Sequence, residues 1–537
     1  MRAGSTEAAA VVKWRLLGSV WVCLAMAGGA IAQPLADHAT MAPITSQSRI
    51  AASIHAMPQS EAAEYVQSVS RVHVVNTYSG LNTFLRQEDA EYKMLRVGRG
   101  VVLDWDSETL FDVGSPDAGY TTYSAAIVST DALGLRVQVD LSLLSTGDEV
   151  WVVDPTGPRA FGPFGLGDEV DGGRWLPTVV DDTAVLIVRT TSAIRPQVSV
   201  VGVSHFYRDL AAATKELSCN VNIACESDPA LLSVATGVGI MVVPVGNGDA
   251  ALCSGALVNN PDTSIFEPLY LTSWHCVPSA SSAEQIDVVW DFRATACGTD
   301  DPPSLAVLPR SNGVAMMATD SELDITLLEL DDVPSGPFGR TFLGWETGTP
   351  QVSEALASIH FPEGAHMRIS KGEVDGVDQA SGSFRLQTKV QWTDGVTEPG
   401  SSGNPLLLAS SDYRVIGTLS NGPLHSCVNT SGNVDWYSSF RDFFPKVEPF
   451  LKGTTNPPPP TGGCAATKAF AGDPESLDRL RAFRDEALAA TAPGKLMIKL
   501  YYGASPYMAR LVESSTFARS TFRTAAAPFA YAGSKLQ

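Results

Sequence analysis

Three short stretches carry the kinds of side chain that cleave acyl bonds. "GVTEPGSSGNP", residues 395–405, wraps glycines around Ser402. A glycine-rich turn lets the backbone curl until two N–H groups aim at one point. Here they would be the amides of Gly400 and Ser402, the arrangement that stabilises an oxyanion. A serine hydroxyl is a weak nucleophile and needs a base. "WHCV", residues 274–277, offers His275, and imidazole takes and returns protons near neutral pH. That base in turn needs a carboxylate to fix its tautomer. "SELDITLLEL" supplies Asp324, directly before an apolar run that reads as a strand.

Each stretch also has an ordinary reading: a structural turn, a core histidine, a strand-start aspartate. Their conjunction favours catalysis. The chain order His275, Asp324, Ser402 is that of the chymotrypsin template, and differs from the subtilisin and α/β-hydrolase orders. The residue six places before Ser402, where such enzymes usually keep the floor of the specificity pocket, is Val396, which cannot pair with a cation.

The elements around these stretches read as β. From 216 to about 451, "ALCSGALVNN", "LYLTSWHC", "IDVVWDF", "DITLLEL", "RLQTKVQW", "NPLLLA" and "RVIGTLS" are strand-like runs between Gly/Pro/Asp turns. The only helix-like segment there is the late "WYSSFRDFFPKVEPFL". Such a region predicts a pair of closed barrels. Residues 95–205 alternate apolar and polar residues in short runs, the pattern of a small antiparallel sandwich. That segment carries no catalytic constellation; His73 and His205 read as ordinary surface or core histidines. Residues 33–60 are loose and rich in small side chains.

Arg2, Lys13 and Arg15 precede the apolar "LLGSVWVCLAMAGGA", and "AIA" at 30–32 forms a small-x-small cleavage site. This predicts an export signal, residues 1–32, and a secreted protein. The apolar run of about 15 residues is short of the roughly 20 that span a bilayer. The net charge of −21 argues against nucleic-acid or anionic-membrane partners. Six of the eight cysteines, 219, 225, 253, 276, 297 and 427, cluster in the β-rich middle. In an exported chain this predicts three disulfides, with the connectivity open among 15 possibilities. No C-x-x-C or H-x-x-x-H spacing supports a zinc site, and no metal or cofactor is expected. "TTNPPPPTGG", 454–463, is a stiff linker to a small helical tail, 464–537, in which Asp473–Pro474 would start a helix.

"CSGALVNN", "LTSWHC", "DITLLEL", "VQW" and "GVTEPGSSGNP" occur in the order found in the lysyl endopeptidase family of secreted bacterial serine proteases, which residues 216–453 resemble. The resemblance implies a chymotrypsin-like double β-barrel with His275, Asp324 and Ser402 as triad. It further implies bridges Cys253–Cys276, Cys219–Cys427 and Cys225–Cys297, and Trp392 packed near the histidine. Asp435 is implied as the acid of the primary specificity pocket, and cleavage of protein and peptide substrates after lysine, with arginine left open. Two departures stand out. Asn404 replaces a small residue and is expected to narrow the cleft, and Ser420 replaces a histidine that stacks near the tryptophan. The segment 33–215 resembles pro-regions or accessory β-domains of secreted proteases. The tail resembles the small CFI-box domain of exported bacterial proteins, whose partner the family does not reveal. The alternatives are a broad trypsin-like protease and an inactive protease-like binding or adhesion protein.

Overall fold

The computed structural model describes residues 39–45, 57–75 and 82, most of 94–210, 216–260 and 267–451; of the tail it describes only 469–470, 476, 479–480, 483 and 516–533. The candidate export signal, Lys215 and its neighbours, the proline linker and most of the tail lie outside the described residues. Among the described residues no helix is long and apolar enough to cross a membrane.

The loosely composed N-terminal segment makes two short strands, β1 (Thr40–Met41) and β2 (Ile44–Thr45). They pair antiparallel with Trp345–Glu346 and Thr341–Phe342, in the segment between the two barrels. Edge pairing uses backbone groups, so side-chain alternation gave no sign of it.

A sandwich follows. Its first sheet holds β3 (Leu95–Trp105) with Ser199–Phe206, Leu135–Asp140 and Arg174–Trp175. Its second is built on Tyr120–Val128, Thr183–Thr190, Glu149–Asp154 and Arg159–Phe164. The facing sides enclose one core that includes Ile127, Val137, Val152, Leu186 and Val203. His205 is buried in this domain, bonded to Ser129 Oγ at 2.8 Å and Asn82 Oδ1 at 2.7 Å. It is a satisfied core histidine.

The middle of the chain forms two closed rings. In the first, β4 (Val238–Val245), β5 (Asp249–Leu257), β6 (Leu269–Thr272), β7 (Asp287–Val289), β8 (Arg310–Asp320) and β9 (Ile325–Leu330) pair in the order β5-β4-β7-β8-β9-β6, and β6 returns to β5. In the second, β10 (Ala355–His360), β11 (Arg368–Ser381), β12 (Phe384–Asp394), β13 (Pro405–Leu408), β14 (Arg414–Asn421) and β15 (Val434–Tyr437) pair as β10-β11-β12-β15-β14-β13, and β13 returns to β10. Closure removes sheet edges and encloses side chains. Met241, Leu257, Tyr270, Val288, Trp290 and Leu328 fill the first ring; Leu356, Val374, Val390, Leu406 and Tyr437 fill the second. The fold is a chymotrypsin-like double β-barrel. Helix α1 (Phe440–Leu451) is the late helix-like segment, and its Phe440 and Phe444 rings pack on Trp345.

Candidate active site

His275, Asp324 and Ser402 come from three different elements. His275 follows the end of β6, and Asp324 ends the β8–β9 turn, one residue before β9. Because β6 and β9 are paired neighbours, the two side chains emerge side by side. Asp324 is fully buried and has φ 61°, a left-handed conformation that aspartate tolerates better than most residues. Its Oδ1 accepts the backbone N–H of His275 at 2.8 Å, and its Oδ2 lies 2.8 Å from His275 Nδ1. A two-point grip of this kind fixes the ring and places the proton on Nδ1, which leaves Nε2 free to act as a base.

The disulfide Cys253–Cys276 ties the histidine's neighbour to β5. The three bridges are Cys219–Cys427, Cys225–Cys297 and Cys253–Cys276, the same pairs the resemblance implies. Sγ of Cys253, Sγ of Cys276 and a ring nitrogen of His275 lie within 4.8 Å of one another. With both sulfurs bonded to each other and Nδ1 held by Asp324, this cluster lacks the thiolates a metal would need.

Ser402 sits on the loop between β12 and β13. Its carbonyl accepts the N–H of Ser254 at 2.7 Å, and Ser254 Oγ donates to the Gly400 carbonyl at 3.0 Å. The loop therefore lies along β5, beside the disulfide that anchors His275. No hydrogen bond joins Ser402 Oγ to Nε2 among the described residues; in substrate-free enzymes that link is often open and tightens in the complex. Gly400 and Gly403 have φ 96° and 81°. A Cβ on Gly400 would stand 2.8 Å from the Phe361 carbonyl, and one on Gly403 2.2 Å from Thr272 Oγ1, so both positions require glycine. The N–H groups of Ser401, Gly403 and Asn404 are used within the fold, whereas those of Gly400 and Ser402 have no acceptor among the described residues.

A buried network missed in the sequence holds this loop. His360, at the end of β10, bonds Ser401 Oγ through Nδ1 at 2.8 Å and Ser370 Oγ through Nε2 at 2.9 Å. Ser401 Oγ also accepts the Glu398 N–H at 3.3 Å. Burial, then the nearby Arg368 and His425, pull the His360 imidazole down to about 3. It stays neutral in the fold, while in the unfolded chain it protonates below about 6.5. This group therefore removes stability as pH falls from about 6.5 toward 3. His360→Gln cannot titrate, so its stability deficit relative to the parent should shrink between pH 7 and pH 5, as urea midpoints would show. Ser401→Ala, which cuts the loop's link to His360, should lower kcat by about tenfold, consistent with one lost buried hydrogen bond.

Asp435, on β15, is buried. Its Oδ2 accepts from Trp392 Nε1 at 2.5 Å and Thr397 Oγ1 at 2.6 Å; its Oδ1 lies 3.0 Å from His425 Nε2. Thr397 is five residues before Ser402, so this carboxylate stands behind the nucleophile loop. Gly422 flanks it so closely that a Cβ there would be 1.8 Å from Oδ1. Trp392 is buried in the second barrel, edge-on to Tyr437 at 6.1 Å, and serves as a donor to Asp435. Asn404 does not narrow the cleft. Its side chain turns into the second barrel, where Nδ2 donates to the Ser401 carbonyl at 2.7 Å and Oδ1 accepts from Tyr437 at 3.0 Å and from Ser358. A small residue could not close those bonds. Glu398 faces the start of the middle domain, accepting from Leu217 N–H and Asn220 Nδ2, and burial raises it to about 7.

Residues 214–438 match the family described as "Lysyl endopeptidase, C-terminal domain". A lysyl endopeptidase of Pseudomonas aeruginosa is 27% identical over 381 residues, covering 66% of this chain and 81% of that protein. Among solved structures, the HtrA-type protease AlgW with tripeptide is 16% identical with a TM-score of 0.29, over 42% of this chain and 63% of that one. The active form of the Rv3671c protease from M. tuberculosis is 14% identical with a TM-score of 0.30, over 46% of this chain and 97% of that one. Through residues 214–438, which hold both barrels and all three disulfides, the chain belongs to the lysyl endopeptidase family.

Proposed function

We propose that this protein is a secreted serine endopeptidase that cuts peptide bonds after lysine. Ser402 Oγ attacks the carbonyl carbon while His275 takes its proton, and Asp324 orients and stabilises the imidazolium. The amides of Gly400 and Ser402 hold the oxyanion, and His275 then protonates the leaving amine. The observation that carries this reading is the double hydrogen bond from buried Asp324 to His275, set beside a glycine turn with two unpartnered amides. An inactive binding module would have no need of that pairing. The lysine preference rests on Asp435 and on the name of the Pseudomonas relative. The test is digestion of a denatured protein mixture, with the cut sites read by mass spectrometry. Lysine before most cuts supports the reading; cuts with no basic residue before them refute the specificity.

A broader trypsin-like preference is favoured by one observation: His425 already occupies Asp435 Oδ1. A substrate ammonium has to displace the imidazole. His425→Ala should therefore lower KM for lysyl substrates by about tenfold, the order expected for one released charge-assisted hydrogen bond, and raise the preference for lysine over leucine. An unchanged lysine-to-leucine ratio would show that His425 stands apart from the pocket.

A further inference from the structure

The sandwich joins the first barrel by strand pairing: β3 lies antiparallel on β5, with Leu95 opposite Leu252, Arg96 opposite Ala251 and Gly98 opposite Ala250. Direction is informative here. Beyond Leu252, β5 runs through Cys253 to Ser254, which bonds the Ser402 and Gly400 carbonyls. Because β3 is antiparallel, its first residue, Leu95, is the end nearest the nucleophile loop. Leu95 is buried, and its Cδ2 would stand 3.3 Å from a Cβ on Gly400. Met94 packs on the cluster that contains Cys253 and Cys276, the bridge beside His275.

An extended chain added to a sheet edge is a general mode of peptide recognition. We propose that β3 occupies the leaving-group side of the substrate cleft in the direction of a substrate, and that Lys93–Met94 is an internal cleavage site of this enzyme. The proposal rests on the serine-protease reading. The amine that leaves must be protonated by His275, and the residue packed at the histidine's disulfide is Met94. The residue before it in the sequence is Lys93, the type that Asp435 is proposed to select. In the step itself, Ser402 Oγ adds to the Lys93 carbonyl carbon and its proton passes to His275. The bond to Met94 nitrogen breaks as the imidazolium returns that proton. Water then hydrolyses the Lys93 ester to a carboxylate.

The cut leaves β3 in place, because the sandwich is held by buried polar contacts with the first barrel. Arg136 is almost fully buried and donates to the Gln285 carbonyl at 2.8 Å. Asp287 accepts from Thr178 N–H at 2.9 Å and from Arg310 at 2.6 Å. Protein substrates then compete with residues 94–98 for the cleft.

The test is terminal sequencing and intact mass of the full chain after incubation. The parent should acquire a Met94 N-terminus, and Ser402→Ala should not. Lys93→Gln should lose that terminus while keeping the parent's thermal midpoint. A Met94 terminus that persists in Ser402→Ala or Lys93→Gln overturns the proposal, as does a chain that reacts with a fluorophosphonate at Ser402 yet never shows the terminus. A chain whose Ser402 takes no label overturns the serine-protease reading, and the cleavage site with it.

Discussion

Ser402→Ala should lower kcat on a lysyl peptide by about 10⁴- to 10⁶-fold, the range expected when the nucleophile of such a triad is removed. Loss of the hydroxyl removes the covalent route, while the oxyanion amides and the substrate cleft remain. KM should therefore change little, and inhibitors should still bind. The contrast with Ser401→Ala sharpens the test. Ser401 is as close to the glycines in sequence, yet its hydroxyl is spent on His360 and the Glu398 amide. Equal losses from the two substitutions would mean that the wrong serine has been assigned. Parallel assays of both variants at saturating substrate decide it.

Asp435→Asn should reduce kcat/KM for lysyl substrates by about 10²- to 10³-fold, because a buried ammonium left without its carboxylate costs about 3–5 kcal/mol. Acylation by a small active ester that places no side chain in the pocket should survive. Asparagine preserves shape and keeps one oxygen to accept from Trp392 and Thr397, so the fold should hold. Undiminished lysine cleavage would move the pocket elsewhere. The alternatives by sequence, Asp412 and Glu398, are poor ones: Asp412 has a side chain 79% exposed, and Glu398 is turned toward Leu217 and Asn220.

Much of the fold was legible because its signals are local. Strand runs between Gly/Pro/Asp turns mark the rings, and the "WHC" and "GSSG" stretches mark where chain and chemistry meet. The residues that sequence reasoning missed act across long separations. His360 reaches Ser401, 41 positions away, and nothing in "SIHFPEG" marks it as a support of the nucleophile loop. His425 lies in a loop whose only nearby landmark is Cys427, so its bond to Asp435 had no local signature. Asn404 was misread because its position suggested the cleft, whereas side-chain direction depends on φ and on the polar partners inside the second barrel. The alternation of "GRGVVLDW" marked a strand but not its partner. The pairing of β3 with β5, which ties the sandwich to the candidate site, comes from the structure alone.

The most direct measurement of the central claim is covalent labelling of the full chain with a fluorophosphonate, followed by peptide mapping. A single phosphonyl adduct on Ser402, lost in His275→Ala because the nucleophile then lacks its base, is the predicted result. An unmodified chain, or an adduct on another serine such as Ser401, would contradict it.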